Sequence, residues 1–185
     1  MKIDPTDLDY ALLRRIARGQ EDALAELIRR YQGRLYQLAF RLLKDPSEAE
    51  DALQEIFLKV YEHAGRFEPV STVSAWLHRI TANHCLNRLR ARRPADPLDN
   101  GGAAMLPAAE ANPLEALEEK ELSKKLERLL TEMPERQSQA LMLKQFGGLS
   151  YQEIGELMGL SPDAVDGLIK RARQFLKKAL REFLE

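Results

Sequence analysis

Five residues at successive steps of three, four, four and three, Trp76, Arg79, Asn83, Asn87 and Arg90, fall on one stripe of a helix. Their side chains suit nucleic acid. An indole stacks on an unpaired base, carboxamides read base edges, and guanidiniums hold phosphates or guanine. The stripe also fits a plainer role, with Trp76 packed in a core and the asparagines merely solvated, because a tryptophan at helical spacing is usually buried.

A second constellation lies towards the C-terminus. Ser150-Tyr151-Gln152-Glu153 is a capping box that opens a short helix, and Ser161-Pro162 caps the next with proline at its first position. Only Gly159 and Leu160 separate the two helices. Helices that cross steeply need a small residue where they touch, a glycine at the turn and apolar residues that lock one onto the other. Gly155 supplies the contact, Gly159 the turn, and Ile154, Met158, Leu160, Val165 and Leu168 the lock. This pattern predicts a helix-turn-helix whose second helix enters a DNA major groove. Ser161 at its cap, then Asp163, Asp166, Gly167, Lys170, Arg171, Arg173 and Gln174, would face the duplex, with Lys177, Lys178 and Arg181 further along. The basic groups would bind phosphates or guanines. Asp163 and Asp166 either accept from cytosine amino groups or complement the positive end of their helix.

Catalytic chemistry finds little support. His63, His78 and His84 are not at four-residue steps and lack carboxylates at liganding spacing, and Gly147-Gly148 lacks the lysine and following Ser or Thr of a phosphate loop. Cys85 is the one cysteine, which excludes an internal disulfide and a cysteine-rich zinc module. No metal, no cofactor and no enzymatic activity are expected.

The net charge of −1 hides a strong asymmetry. Residues 71–93 carry five basic and no acidic groups, residues 94–119 carry none and six, and residues 164–185 carry six and three. This division suggests two separate anion-facing surfaces, while solvated helix faces often carry local charge of the same kind.

The elements that must position these groups read as helices throughout. Leu12, Leu13 and Ile16, then Leu24, Leu27, Ile28, Tyr31, Leu35, Leu38, Ala39 and Leu42, recur at helical steps. Asp45, Pro46 and Glu48 give a cap, a first-turn proline and a capping-box partner for a helix that buries Ala49, Ala52, Leu53, Ile56, Phe57, Val60, Tyr61 and Ala64 and stops near Gly65. Its other side is acidic, with Asp51, Gln54, Glu55 and Glu62 around a projecting Leu58. Such a side repels DNA and can dock a protein, although a single exposed leucine is common. Residues 66–72 form a loop, and the stripe helix runs from about Ser74 to Arg93, where Pro94 ends it.

Four prolines, a Gly-Gly pair and scattered alanines mark residues 94–113 as a flexible linker. Its 20 residues reach roughly 66 to 72 Å when extended, about 20 base pairs of duplex. Helices follow at about 114–131, 135–146, 151–158 and 162–183. The expected fold is all-α: two small helical domains, 1–93 and 114–185, joined by that linker, the second a helix-turn-helix. With an acidic N-terminus unlike a signal peptide and no long apolar run, a cytoplasmic location without membrane insertion is expected.

In order along the chain, Asp51-Ala-Leu-Gln-Glu-Ile-Phe, Ala75-Trp-Leu-His-Arg-Ile-Thr-Ala-Asn83-His-Cys-Leu-Asn87-Arg-Leu, a linker, Met133-Pro-Glu-Arg and Gly148-Leu-Ser-Tyr-Gln-Glu-Ile-Gly resemble bacterial sigma factors of the extracytoplasmic function type. The resemblance spans nearly the whole chain. It implies that the N-terminal half, region 2, binds core RNA polymerase and recognises and melts the −10 promoter element. The C-terminal half, region 4, would then bind the −35 element. By position, Asp51, Gln54, Glu55, Leu58 and Glu62 would dock the polymerase. Trp76, Arg79, Asn83, Asn87 and Arg90 would read the −10 strand, with Arg66 and Phe67 in the loop that accepts a flipped base. Ser161, Asp163, Asp166, Lys170, Arg171 and Arg173 would address the −35 element. Many relatives carry Thr-Val, a basic residue, Ser and Arg in the recognition helix, whereas this chain has Ala164-Val165-Asp166-Gly167-Leu168, so its −35 sequence does not follow from theirs. The resemblance also implies a separate anti-sigma partner.

Two other readings stay open on the residues alone. A one-component or response-type regulator also ends in a helix-turn-helix, but needs an effector or phospho-acceptor domain, and residues 1–93 show no alternating strands for one. An all-helical adaptor would leave Asn83 and Arg171 without consequence.

Overall fold

The computed structural model describes residues 8–68, 72–92, 128–130 and 132–184, and every regular element among them is helical. The N-terminal group comprises α1 (Leu8–Ile16), α2 (Glu21–Leu43), α3 (Pro46–His63), a 3-10 turn (Ala64–Arg66) and α4 (Val73–Ala91). The C-terminal group comprises α5 (Glu135–Gln145), α6 (Tyr151–Met158) and α7 (Pro162–Leu184). Among the described residues no helix is long and apolar enough to cross a membrane. The expected linker at 94–113, and most of the helix expected at 114–131, lie outside the described residues.

Helix α2 is the spine of the N-terminal group because its buried positions, Ala23, Leu27, Tyr31, Leu35, Leu38, Ala39, Leu42 and Leu43, keep one face turned inward over its full length. Helices α1, α3 and α4 pack around it. The chain leaves α2 through Lys44 in the left-handed conformation at φ 60°, and its amide closes on the Phe40 carbonyl at 2.7 Å. Asp45 then caps α3 by accepting from the Glu48 amide at 2.9 Å, with Pro46 in the first turn. The Glu48 side chain does not complete the expected capping box; it pairs with Arg92 of the α4 terminus.

Helix α4 begins one residue earlier than Ser74 and ends at Ala91, two residues short of Arg93. Thr72 caps it, accepting from the Ala75 amide at 3.1 Å. Burying Val73, Leu77, Thr81, Ala82, Cys85 and Leu86 leaves Arg79, Asn83, Asn87 and Arg90 exposed.

In the C-terminal group the capping box forms as expected. Ser150 Oγ accepts from the Glu153 amide at 3.2 Å, and Glu153 Oε2 accepts from the Ser150 amide at 2.8 Å. These bonds hold the Glu153 carboxyl below the ordinary value of 4.5. A depressed carboxyl pKa adds stability above its unfolded value and loses it as pH falls through the folded one. Thermal unfolding should therefore show Glu153→Gln less stable than the parent at pH 7, and the gap should close as pH drops below about 4. A gap that persists undiminished at low pH would assign the effect to something other than the carboxylate.

The two glycines of the turn are required by geometry. A Cβ built on Gly155 would lie 2.5 Å from the Leu160 carbonyl oxygen, so only glycine lets α6 meet the turn this closely. Gly159 takes φ +65° and ends α6. Across the seam Ile154, Val165, Ile169 and Ala172 are fully buried, while Leu168, expected in the lock, is only partly so. Leu168 still packs against this core, beside the fully buried Ile169.

Candidate nucleic-acid interface

Of the five stripe residues, Trp76 is half-buried and the other four are exposed. Trp76 thus combines both readings: its ring meets Phe67 edge-on at 5.2 Å between centroids, within reach of the core but not enclosed by it. Phe67 in turn lies 6.0 Å from Tyr10 of α1. The base of the loop after α3 is therefore a chain of three rings, Tyr10, Phe67 and Trp76, drawn from three elements. Nothing in the spacing marks Tyr10, which sits some sixty residues before its partners. Arg66 is exposed beside these rings, at the end of the 3-10 turn; residues 69–71 of the loop lie outside the described residues.

The basic run of α4 is not all available to an anion. Arg88 donates to the Glu48 carbonyl at 3.1 Å and reaches Glu55 at 3.4 Å, and Arg92 pairs with Glu48 and reaches the Leu43 carbonyl at 3.5 Å. Two of the four arginines among the described residues of this run thus tie the end of α4 to α2 and α3, leaving Arg79 and Arg90 for the stripe. His84 adds to the same tie: Lys59 Nζ lies 2.9 Å from its Nδ1, and Glu55 3.5 Å from its Nε2. Burial first, and the Lys59 charge second, lower the His84 pKa, so the ring is neutral at physiological pH and accepts from the lysine.

On α3, Asp51, Gln54, Glu55 and Glu62 are exposed, and Leu58 is 64% exposed. Tyr61, assigned to the apolar face by periodicity, is 41% exposed and enlarges this apolar spot beyond a single leucine. Glu55 is shared, since it also faces His84 and Arg88.

On α7, Ser161 Oγ caps the helix by accepting from the Ala164 amide at 3.2 Å, and Asp163 is exposed in the first turn. Asp166 pairs with Lys170 at 2.7 Å, one helical turn on, and raises the lysine pKa through that hydrogen bond. Arg171 and Arg173 are exposed, the former lying back towards Gly167, where a Cβ would meet its Nη1 at 3.6 Å. A cationic face with two carboxylates towards its N-terminal end is suited to duplex DNA at phosphates and base edges alike.

The chain is similar to known proteins along most of its length. The family model for Sigma-70 region 2 matches residues 27–94, and that for Sigma-70 region 4 matches residues 123–176. ECF RNA polymerase sigma factor SigW of Bacillus subtilis is 31% identical over 178 residues, covering 92% of this chain and 95% of that protein. The chain belongs to the extracytoplasmic function (ECF) sigma factors. RNA polymerase sigma-H factor of Pseudomonas aeruginosa is 33% identical over 184 residues, covering 95% of each. Among solved structures, CnrH in complex with the cytosolic domain of CnrY is similar at a TM-score of 0.61 and 25% identity, over 95% of this chain and 99% of that one. Sigma factor RpoE in complex with anti-sigma factor NepR from Bartonella quintana shares the fold at 0.64 and 22% identity, over 85% and 96%. As an ECF sigma factor, the chain directs transcription initiation at promoters.

Proposed function

We propose that this ECF sigma factor divides its work among three surfaces. The exposed side of α3, built on Asp51, Gln54, Glu55, Leu58, Tyr61 and Glu62, docks core RNA polymerase. The stripe of α4, with Arg79, Asn83, Asn87 and Arg90 beside the Tyr10–Phe67–Trp76 rings, reads and holds the opened −10 strand, and Arg66 and Phe67 border the place for a flipped base. Taking a base out of its stack costs a few kcal/mol, which preformed aromatic and amide partners offset. Helix α7 binds the −35 duplex through Lys170, Arg171 and Arg173, with Ser161 at its capped end. Asp166 positions Lys170, and Asp163 complements the helix terminus.

The domain division follows the same lines: region 2 over 1–93, a linker over 94–113 and region 4 over 114–185. Catalysis belongs to the polymerase, and the factor works in the cytoplasm as a non-enzymatic subunit without a cofactor. Two structural neighbours are in complex with other chains, one of them a named anti-sigma factor, which supports an anti-sigma partner for this chain as well.

One observation carries the reading: two carboxamides and two guanidiniums stand exposed on the same side of α4, where burial would have selected apolar residues. Asn83→Ala with Asn87→Ala should reduce promoter opening about tenfold or more, at one bidentate contact each, while polymerase binding stays unchanged. Permanganate footprinting of the melted strand and a binding titration with core polymerase separate the two. Equal loss of both activities would contradict the assignment.

A further inference from the structure

The stripe of α4, although exposed, is touched by the C-terminal group at two of its residues. Arg79 Nη2 lies 3.0 Å from Glu156 Oε2 of α6, and Arg90 donates to the Leu157 carbonyl while holding Asn87 Oδ1 at 2.9 Å. Carbonyls in the last turn of a helix lack intrahelical partners and carry the negative end of its dipole. The end of α6 therefore offers the stripe one carboxylate and one polarised carbonyl, the same kinds of acceptor that a nucleic-acid strand offers through phosphates and base edges. Two of the five stripe residues, Arg79 and Arg90, are engaged by α6 this way, and Arg90 draws Asn87 in behind it. A third contact between the groups, the Arg41 guanidinium 4.1 Å over the Phe146 ring, holds α2 against the end of α5.

We propose that ECF region 4 of this chain occludes its own strand-reading face, with Glu156 and the Leu157 carbonyl standing in for DNA until polymerase and promoter separate the two helix groups. The inference rests on the α4 stripe being the strand-binding face. The seam is built to open. A cavity of about 240 Å³ remains in it, lined by Leu86, Leu89 and Arg90 of α4 on one side and by Glu135, Arg136 and Met158 of the C-terminal group on the other, so the facing surfaces are not packed to interior density. Both partners of the ion pair are about half exposed, so the pair shifts an equilibrium by only about two- to fivefold. Such a contact lowers unassisted DNA binding and yields to a multi-site partner.

The test uses the full chain carrying spin labels at Gln32→Cys on α2 and Lys178→Cys on α7, both exposed, with Cys85 buried and unlabelled. Double electron–electron resonance should give one short, narrow distance for the parent. Glu156→Gln should add a longer, broad population, and Glu156→Arg should raise its share roughly tenfold. Arg79→Glu combined with Glu156→Arg should restore the narrow distance by reversing the pair. In parallel, a mixed-sequence single strand of fifteen nucleotides should bind Glu156→Gln two- to fivefold more tightly than the parent. Glu21→Gln, which removes the same charge from exposed α2 surface, should match the parent. A distance distribution that is broad in the parent, or unchanged in every variant, overturns the lock, as does opening without tighter strand binding. Failure of the stripe reading looks different: the distances would shift as expected while Asn83→Ala with Asn87→Ala left promoter opening intact.

Discussion

Leu58→Arg should weaken association with core RNA polymerase at least about a hundredfold, while leaving helix content and thermal stability unchanged. The side chain is 64% exposed, so the fold loses nothing when it is replaced. On the proposed docking side of α3 it is the apolar centre of an acidic face, ringed by Asp51, Gln54, Glu55 and Glu62. A partner complementary to that ring presents cations around an apolar pocket. A guanidinium inserted there is desolvated without a partner and repelled by its neighbours, a combination worth about 3 kcal/mol or more. Leu8→Arg is the matched control, because Leu8 is 68% exposed on α1 and outside the docking face. Surface titration of both variants against core polymerase decides the matter. Equal affinity for the two would place the docking face elsewhere.

The second large effect concerns the turn between α6 and α7. With the Gly155 Cβ position 2.5 Å from the Leu160 carbonyl oxygen, any side chain forces backbone to move rather than a flexible tip. Gly155→Ala should destabilise the C-terminal group by about 1 to 3 kcal/mol, and Gly155→Val by more, since α6 and α7 can no longer bury Ile154, Val165 and Ile169 together. Transcription from promoters that depend on a −35 element should fall with the fraction folded, whereas polymerase binding through α3 should persist. Gly33 provides the contrast: it lies in α2 with nothing within 4 Å of its Cβ position, and Gly33→Ala should stabilise by about 0.4 to 1 kcal/mol. Hydrogen exchange resolved by helix would read both, and full protection of α6 and α7 in Gly155→Val would contradict the packing account.

The contrast between those two glycines shows which features were legible in the chain itself. The helix-turn-helix could be read closely because its signals are local. The Ser150–Glu153 box, Gly159 and Ser161-Pro162 act within three or four residues, and α6 begins and ends where they place it. The α4 stripe was legible for a similar reason, since a helical period decides which side chains share a face. What the sequence could not disclose depends on how helices cross. Arg88 and Arg92 have the chemistry of phosphate binders, and only the approach of α3 reveals that Glu48 and Glu55 engage them. Tyr61 has the period of a core residue, yet it is 41% exposed while Val60 beside it is buried, so the packing covers a narrower stripe of α3 than the period suggests. Tyr10 joins Phe67 and Trp76 only through the docking of α1. The pairing of Arg79 with Glu156, 77 residues apart, has no local signature at all.

The most direct measurement adds the purified chain to core RNA polymerase on a randomised promoter library and sequences the run-off transcripts. Transcripts should start a fixed distance downstream of two sequence elements, with enrichment of the upstream element lost in Gly155→Val and all output lost in Leu58→Arg. A polymerase that stays silent on every template, beside a chain that binds duplex DNA tightly by itself, would contradict that expectation.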